Sequence, residues 1–250
     1  MRHKQTEQSQ NLTNMKKVMK AVAALMLMTA VVFAAGCKKQ EPSSGSFNGH
    51  EYVDLGLPSG TMWATSNVEA GNAKGYAYFA WGETSTKTTY NWATYKWSDG
   101  NDSPKLTKYC YDPRYGFEDF TDDLTVLKAE DDAATVHWGD GWRTPTKEDW
   151  QELVNNCTYE WTTRNGMNGG LFTASNGNTL FLPAAGKYDK PSAGGLIHYG
   201  DYGEYWSSSL YMNDGPDYAF SVQINKVSAN SIDPMPRLVG FTIRPVHSAN

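Results

Sequence analysis

The sequence predicts an α+β domain of short, mostly antiparallel strands with two helices. Three observations carry that expectation: short β-type runs dominate, Ser175-Asn176-Gly177-Asn178 stands between two of them as a hairpin signal, and only two segments read as helical. Strand-rich chains with a few segregated helices define this class. The strand runs are residues 52–55, 61–64, 76–81, 171–174, 179–182, 218–224 and 241–246, rich in β-branched and aromatic side chains. Asn and Gly in the 175–178 turn accept the positive φ that tight hairpins demand. The first helix is expected over residues 129–138, with Glu130, Asp131 and Asp132 favouring its N-terminus through the helix dipole and Gly139 ending it. The second opens after Thr146, a capping residue with Asp149 three positions on. Trp150, Leu153, Val154 and Cys157 then recur at i, i+3, i+4 and i+7 on one apolar face. Residues 99–104 and 111–123 read as long surface loops.

The first 36 residues read as an address. Lys16, Lys17 and Lys20 precede an apolar run over residues 21–35 broken only by Thr29, a signal-peptide pattern too short for a bilayer span of about 20 residues. The run ends in Ala34-Ala35-Gly36-Cys37, which resembles the lipobox of bacterial lipoproteins. That resemblance implies a lipidated Cys37 as the mature N-terminus, hence a membrane partner through the lipid. Lys38 stands where an aspartate would signal inner-membrane retention, so the outer membrane, facing the cell surface, is the expected location. Residues 37–49 read as a flexible tether.

Without residues 1–36 the chain keeps 17 Lys and Arg against 26 Asp and Glu, a formal charge of −9. Such a surface repels phosphate backbones, so no nucleic-acid partner is expected. Two cysteines remain, Cys110 and Cys157. Outside the cytoplasm two readings stand: a disulfide between them, which is the expectation adopted, or two separate buried thiols.

Gly141-Trp142-Arg143-Thr144-Pro145-Thr146, Tyr205-Trp206-Ser207-Ser208-Ser209 and Val239-Gly240-Phe241-Thr242-Ile243-Arg244-Pro245-Val246 form an ordered set of phrases. With Tyr52-Val53-Asp54-Leu55-Gly56-Leu57-Pro58, Trp81-Gly82-Glu83-Thr84 and Phe181-Leu182-Pro183-Ala184-Ala185-Gly186, they resemble the Fibrobacter succinogenes major paralogous domain. The resemblance implies a C-type lectin-like domain over residues 50–248, the fold shared with the formylglycine-generating enzymes. Those enzymes carry a C-terminal cysteine pair, and this chain has no cysteine after Cys157. In some relatives of this fold, the interval between a Trp-Ser-Ser phrase and a Gly-Phe-x-x-Arg-Pro-Val phrase is diversified. The resemblance therefore implies that residues 210–237 form the recognition surface.

Catalytic motifs are missing: there is no His-Glu-x-x-His, Gly-x-Ser-x-Gly, phosphate-binding glycine loop or Cys-x-x-Cys. Neighbouring His198, Asp201 and Ser207 to Ser209 do not by themselves define a triad. No enzyme activity, cofactor or metal site is expected, and acidic Glu118, Asp119, Asp122 and Asp123 read as a solvated loop. Of nine Trp and fifteen Tyr, Trp63, Trp142, Trp150 and Trp206 stand in scaffold phrases and are expected in the core. Arg143 and Arg244 read as internal anchors. The expected ligand contacts are Tyr202, Tyr211, Asn213, Asp214 and Asp217, with Asn230, Ser231 and Asp233 on the return. Tyr supplies rigid contact area there, and Asn, Asp and Ser supply hydrogen bonds. The expected ligand is a glycan or a protein; the runner-up is a structural, fimbria-associated envelope subunit, and third comes an enzyme of the formylglycine-generating type.

Overall fold

The structure is a computed structural model that describes residues 44–68, 76–101, 105–189, 195–229 and 231–248. Backbone contacts divide the chain into Met1–Glu41 and Pro42–Asn250, and every described residue belongs to the second unit. Among the described residues that unit is mostly antiparallel β-sheet with two α-helices. In chain order its strands are β1 (Ser44–Phe47), β2 (His50–Asp54), β3 (Thr61–Ala64), β4 (Cys157–Arg164), β5 (Met167–Ala174), β6 (Thr179–Pro183), β7 (Lys187–Tyr188), β8 (Leu196–Ile197), β9 (Tyr202–Leu210), β10 (Tyr218–Asn225), β11 (Ser231–Pro236) and β12 (Val246–Ser248). The helices are α1 (Ala133–Trp138) and α2 (Lys147–Asn156). Sheets run in the orders β1-β2-β3-β12, β4-β5-β6 and β11-β10-β9, with β7-β8 a two-stranded ladder.

β1 corrects the expected tether. Ser44–Phe47 pairs with β2, and the Phe47 ring stacks on His247 at 4.9 Å. Asn48 and Gly49 turn the chain with φ of 48° and 81°, the tight-hairpin geometry that an Asn-Gly pair favours. The tether therefore ends before Ser44, not at residue 49. Its earlier part, the leader and Cys37 lie outside the described residues.

Helix α1 is shorter than expected. Residues Ala129–Asp131 form a separate 3-10 turn, and Asp132 is extended (φ −95°, ψ 111°). Its carboxylate is committed to capping: it accepts from Ala134 N at 2.9 Å, Thr144 N at 2.7 Å and Thr144 Oγ1 at 2.6 Å. Helix α2 opens as expected, with Thr146 and Asp149 exchanging bonds in a capping box. It stops one residue short of Cys157, whose extended backbone (φ −120°) starts β4.

Residues 76–81, expected as a strand, make one isolated bridge, Phe79 to Phe241. The segment is buried, and its backbone bonds go to the irregular residues Phe241 and Arg237. β9 is buried from Gly203 to Leu210 because both its edges are occupied. β10 takes one, while the other bonds Thr242, Pro145 and residues 125 and 127, so β9 itself presents no open edge. Trp63, Trp142, Trp150 and Trp206 are at most 1% exposed, as the scaffold phrases require. Two large apolar clusters form the core: one gathers Trp81, Trp142, Trp206 and Phe241, the other Trp63, Trp150, Phe172 and Val222. A smaller third holds Tyr78, Tyr95, Leu106 and Cys110.

Candidate functional site

The expected contact residues divide between two ends of one sheet. Tyr202 pairs with Asn225 at the start of β9, and Ser231 pairs with Gln223 nearby. Asp233 lies opposite Ser221, beside Trp206 in mid-sheet. Tyr211, Asn213, Asp214 and Asp217 lie beyond Leu210, at the far end. Tyr202 and Leu210 are eight residue steps apart along β9, roughly 25 Å at the usual strand rise, so one small ligand does not touch both groups. Asn230 lies outside the described residues. Ser231 and Asp233 belong to edge strand β11 rather than to a loop, and the Ser231 hydroxyl donates to the Asp233 carboxylate.

The far end is a built surface. Gly215 N donates to Tyr111 Oη at 3.0 Å, and a Cβ on Gly215 would lie 3.2 Å from the Tyr115 ring. The 111–127 segment thus abuts the β9–β10 loop. Below it, fully buried Arg237 ties the β9–β10 loop to residues 108–109, which lead into the 111–127 segment. Its guanidinium donates to Tyr95 Oη, Lys108 O, Tyr109 O and Pro216 O at 2.8–3.1 Å, and its backbone N donates to Asp217 O at 2.9 Å. The same segment continues along β9, where Leu210 N bonds Thr125 O and Leu127 N bonds Ser208 O. Four of the six exposed large apolar side chains among the described residues, Phe117, Phe120, Val126 and Met212, belong to these two segments. Asn213 and Asp214 are exposed in the same loop as Met212, and Tyr211 packs edge-on against Phe220 at 5.3 Å. Burial raises the pKa of the half-buried Asp217 carboxyl, with Asp214 adding to the rise.

Sequence reasoning missed Phe117, Phe120, Val126 and Met212 because an apolar residue inside a polar run carries no periodic signal. The 99–123 loops were legible as loops; their junction with residue 215 was not.

Ser207, Ser208 and Ser209 are buried structural hydroxyls: Ser209 Oγ accepts from Lys147 N at the start of α2, and Ser207 Oγ accepts from Ser209 N. His198 is exposed and sits against Tyr202. Cys110 and Cys157 are free thiols, which corrects the expected disulfide. Cys110 is buried in the third cluster and donates to Asp112 O at 3.2 Å, whereas Cys157 packs against the Trp63–Trp150 cluster. Among the described residues no group of three His, Cys, Asp or Glu has metal-holding geometry, and no helix is long and apolar enough to cross a membrane.

No family model matches the chain, and no curated protein or solved structure is significantly similar to it.

Proposed function

We propose that the protein is a lipid-anchored, outward-facing envelope module with a C-type lectin-like domain that binds a glycan or protein ligand. Its recognition surface is the junction of residues 111–127 with the β9–β10 loop. The observation that carries this reading is the Tyr111–Gly215 junction between two segments that expose Phe117, Phe120, Val126 and Met212. Contiguous exposed apolar surface marks interaction sites on soluble proteins, and loops held on a rigid scaffold lose little entropy on binding. The antiparallel sheets and two helices are compatible with the lectin-like fold, and the Cys37 lipobox supports anchoring.

A glycan and protein array probed with the full chain in detergent tests the reading. Tyr211→Ala, Asp214→Ala and Phe117→Ala should each weaken the captured ligand by at least about 1 kcal/mol if they are interface hot spots. Tyr202→Ala and Asp233→Ala, at the other end and middle of the sheet, should leave binding within twofold. The reverse ranking would move the site to the Tyr202 end.

A further inference from the structure

A second site lies away from the loop junction. A half-open cavity of about 510 Å³ is lined by Ser66, Asn67 and Tyr76, by Arg164 and Met167 at the β4–β5 turn, by Phe181 on β6, and by Arg244. The volume falls in the range of small-ligand pockets.

The five described arginines set the charge problem. Arg114 and Arg143 pair with Asp112 and Asp149, and Arg237 spends its donors on a tyrosine hydroxyl and three carbonyls. The remaining two, Arg164 and Arg244, have no carboxylate partner among the described residues, and both line this cavity. Arg244 is 1% exposed. It donates Nε to Asn67 Oδ1 at 2.8 Å and Nη1 to Ala64 O at 3.0 Å; a guanidinium carries five N–H donors, so Nη2 has no acceptor among the described residues. Burial pushes its pKa down to about 10, so it stays charged at neutral pH. Beside it, Asn67 is 4% exposed and its buried Nδ2 has no hydrogen-bond partner. The Tyr205 hydroxyl, which donates to Pro183 O at 2.7 Å, lies near Asn67 but outside hydrogen-bond geometry with its Nδ2.

A buried cation without a counter-charge and a buried amide without an acceptor are each costly. One ligand relieves both. A carboxylate offers two oxygens, one for a guanidinium N–H and one for an amide N–H, in the planar geometry arginine matches well. Phe181 and Met167 supply an apolar wall for the body that carries it, and Arg164, 5.7 Å from the Phe181 ring, adds a second positive charge at the rim. We propose that this cavity binds a small organic carboxylate carried on a ring-sized body, with Arg244 and Asn67 holding the carboxylate.

Asn67→Asp is the discriminating variant, because it keeps the acceptor for Arg244 Nε while filling the site with a fixed negative charge. Calorimetric titration of the full chain would use glucuronate and N-acetylphenylalanine as carboxylates, with glucose and inorganic phosphate as controls. The expected result is a dissociation constant below about 1 mM for at least one carboxylate, at least tenfold tighter than either control. Whichever carboxylate binds more tightly identifies an acidic sugar or an amino-acid carboxylate as the source. Asn67→Asp should abolish that binding without lowering the melting temperature, and Arg164→Ala should weaken it several-fold. Binding of neither carboxylate, equal binding of a control, or undiminished binding by folded Asn67→Asp overturns the proposal. The loop-surface reading stands or falls separately, since Tyr211→Ala and Asp214→Ala leave this cavity intact.

Discussion

Arg143 and Asp149 form a bidentate ion pair, with Nη1 2.5 Å from Oδ2 and Nη2 3.1 Å from Oδ1. The same Asp149 carboxylate accepts from Thr146 N at 2.7 Å, so one side chain closes the α2 capping box and fixes the strand-like arm before it. Arg143 in turn bridges to Val246 of β12 through the backbone, 2.9 Å in both directions. The helix start and the closing strand are thereby tied to one charge pair.

Asp149→Asn should destabilise the fold by about 2 kcal/mol at neutral pH, combining a weakened cap with a partly unpaired arginine. Burial raises the Asp149 carboxyl pKa, but the bonds and charge of Arg143 and the Thr146 bonds outweigh it and hold the group below the usual carboxylate range. Its folded pKa thus lies below the unfolded value of about 3.9, so its stabilisation is complete above that pH and is lost as pH falls through the folded value. Melting temperatures from pH 7 to pH 2 should show a steeper acid loss for the wild type than for Asp149→Asn. Parallel curves would remove the pair from the stability account.

Both thiols should be free. Burial raises the Cys110 pKa and pushes that of Cys157 up to about 11, so at pH 8 neither holds much of the thiolate that reacts. A disulfide reagent should modify the native protein slowly and Cys110 and Cys157 fully in denaturant. A mass two hydrogens lighter for the non-reduced chain would restore the bridge.

The proposed lipid anchor makes its own demand. Cys37→Ala should leave an unprocessed precursor or shift the protein from the detergent phase to the aqueous phase, since on that proposal the diacylglycerol on Cys37 supplies the membrane affinity. Unchanged detergent partition would sink it.

Legibility followed locality. The α2 cap needs only Thr146 and Asp149, and the 175–178 hairpin needs only its own four residues, with Gly177 at φ 88°. β11 escaped because Pro234 and Pro236 argue against a strand, yet an edge strand tolerates residues that cannot donate to a neighbour. The β4–β5 turn had a signal that went unused, Asn165-Gly166, with φ of 50° and 77°. That turn carries Arg164 to the cavity. Arg244 read as an anchor because its phrase is a scaffold phrase, and its missing counter-charge is visible only once Asn67, 177 positions away, stands beside it.

Tyr111→Phe isolates the junction on which the proposed recognition surface rests. The change keeps the ring and deletes one hydroxyl, so the N–H of buried Gly215 loses its acceptor. An unpaired buried donor costs about 1–3 kcal/mol, and the loop has little freedom to find another partner. Gly215 holds φ at 142°, and its neighbour Pro216 is pinned through its carbonyl by Arg237. The strain should therefore fall on residues 211–214, which are tied down least. Ligand capture should weaken at least fivefold, hydrogen exchange at 213–215 should accelerate, and the melting temperature should fall by only a few degrees, as about 1 kcal/mol implies for a domain this size. A Tyr111→Phe variant that binds as tightly as the wild type would mean that the junction only fastens two loops, and that recognition does not pass through it.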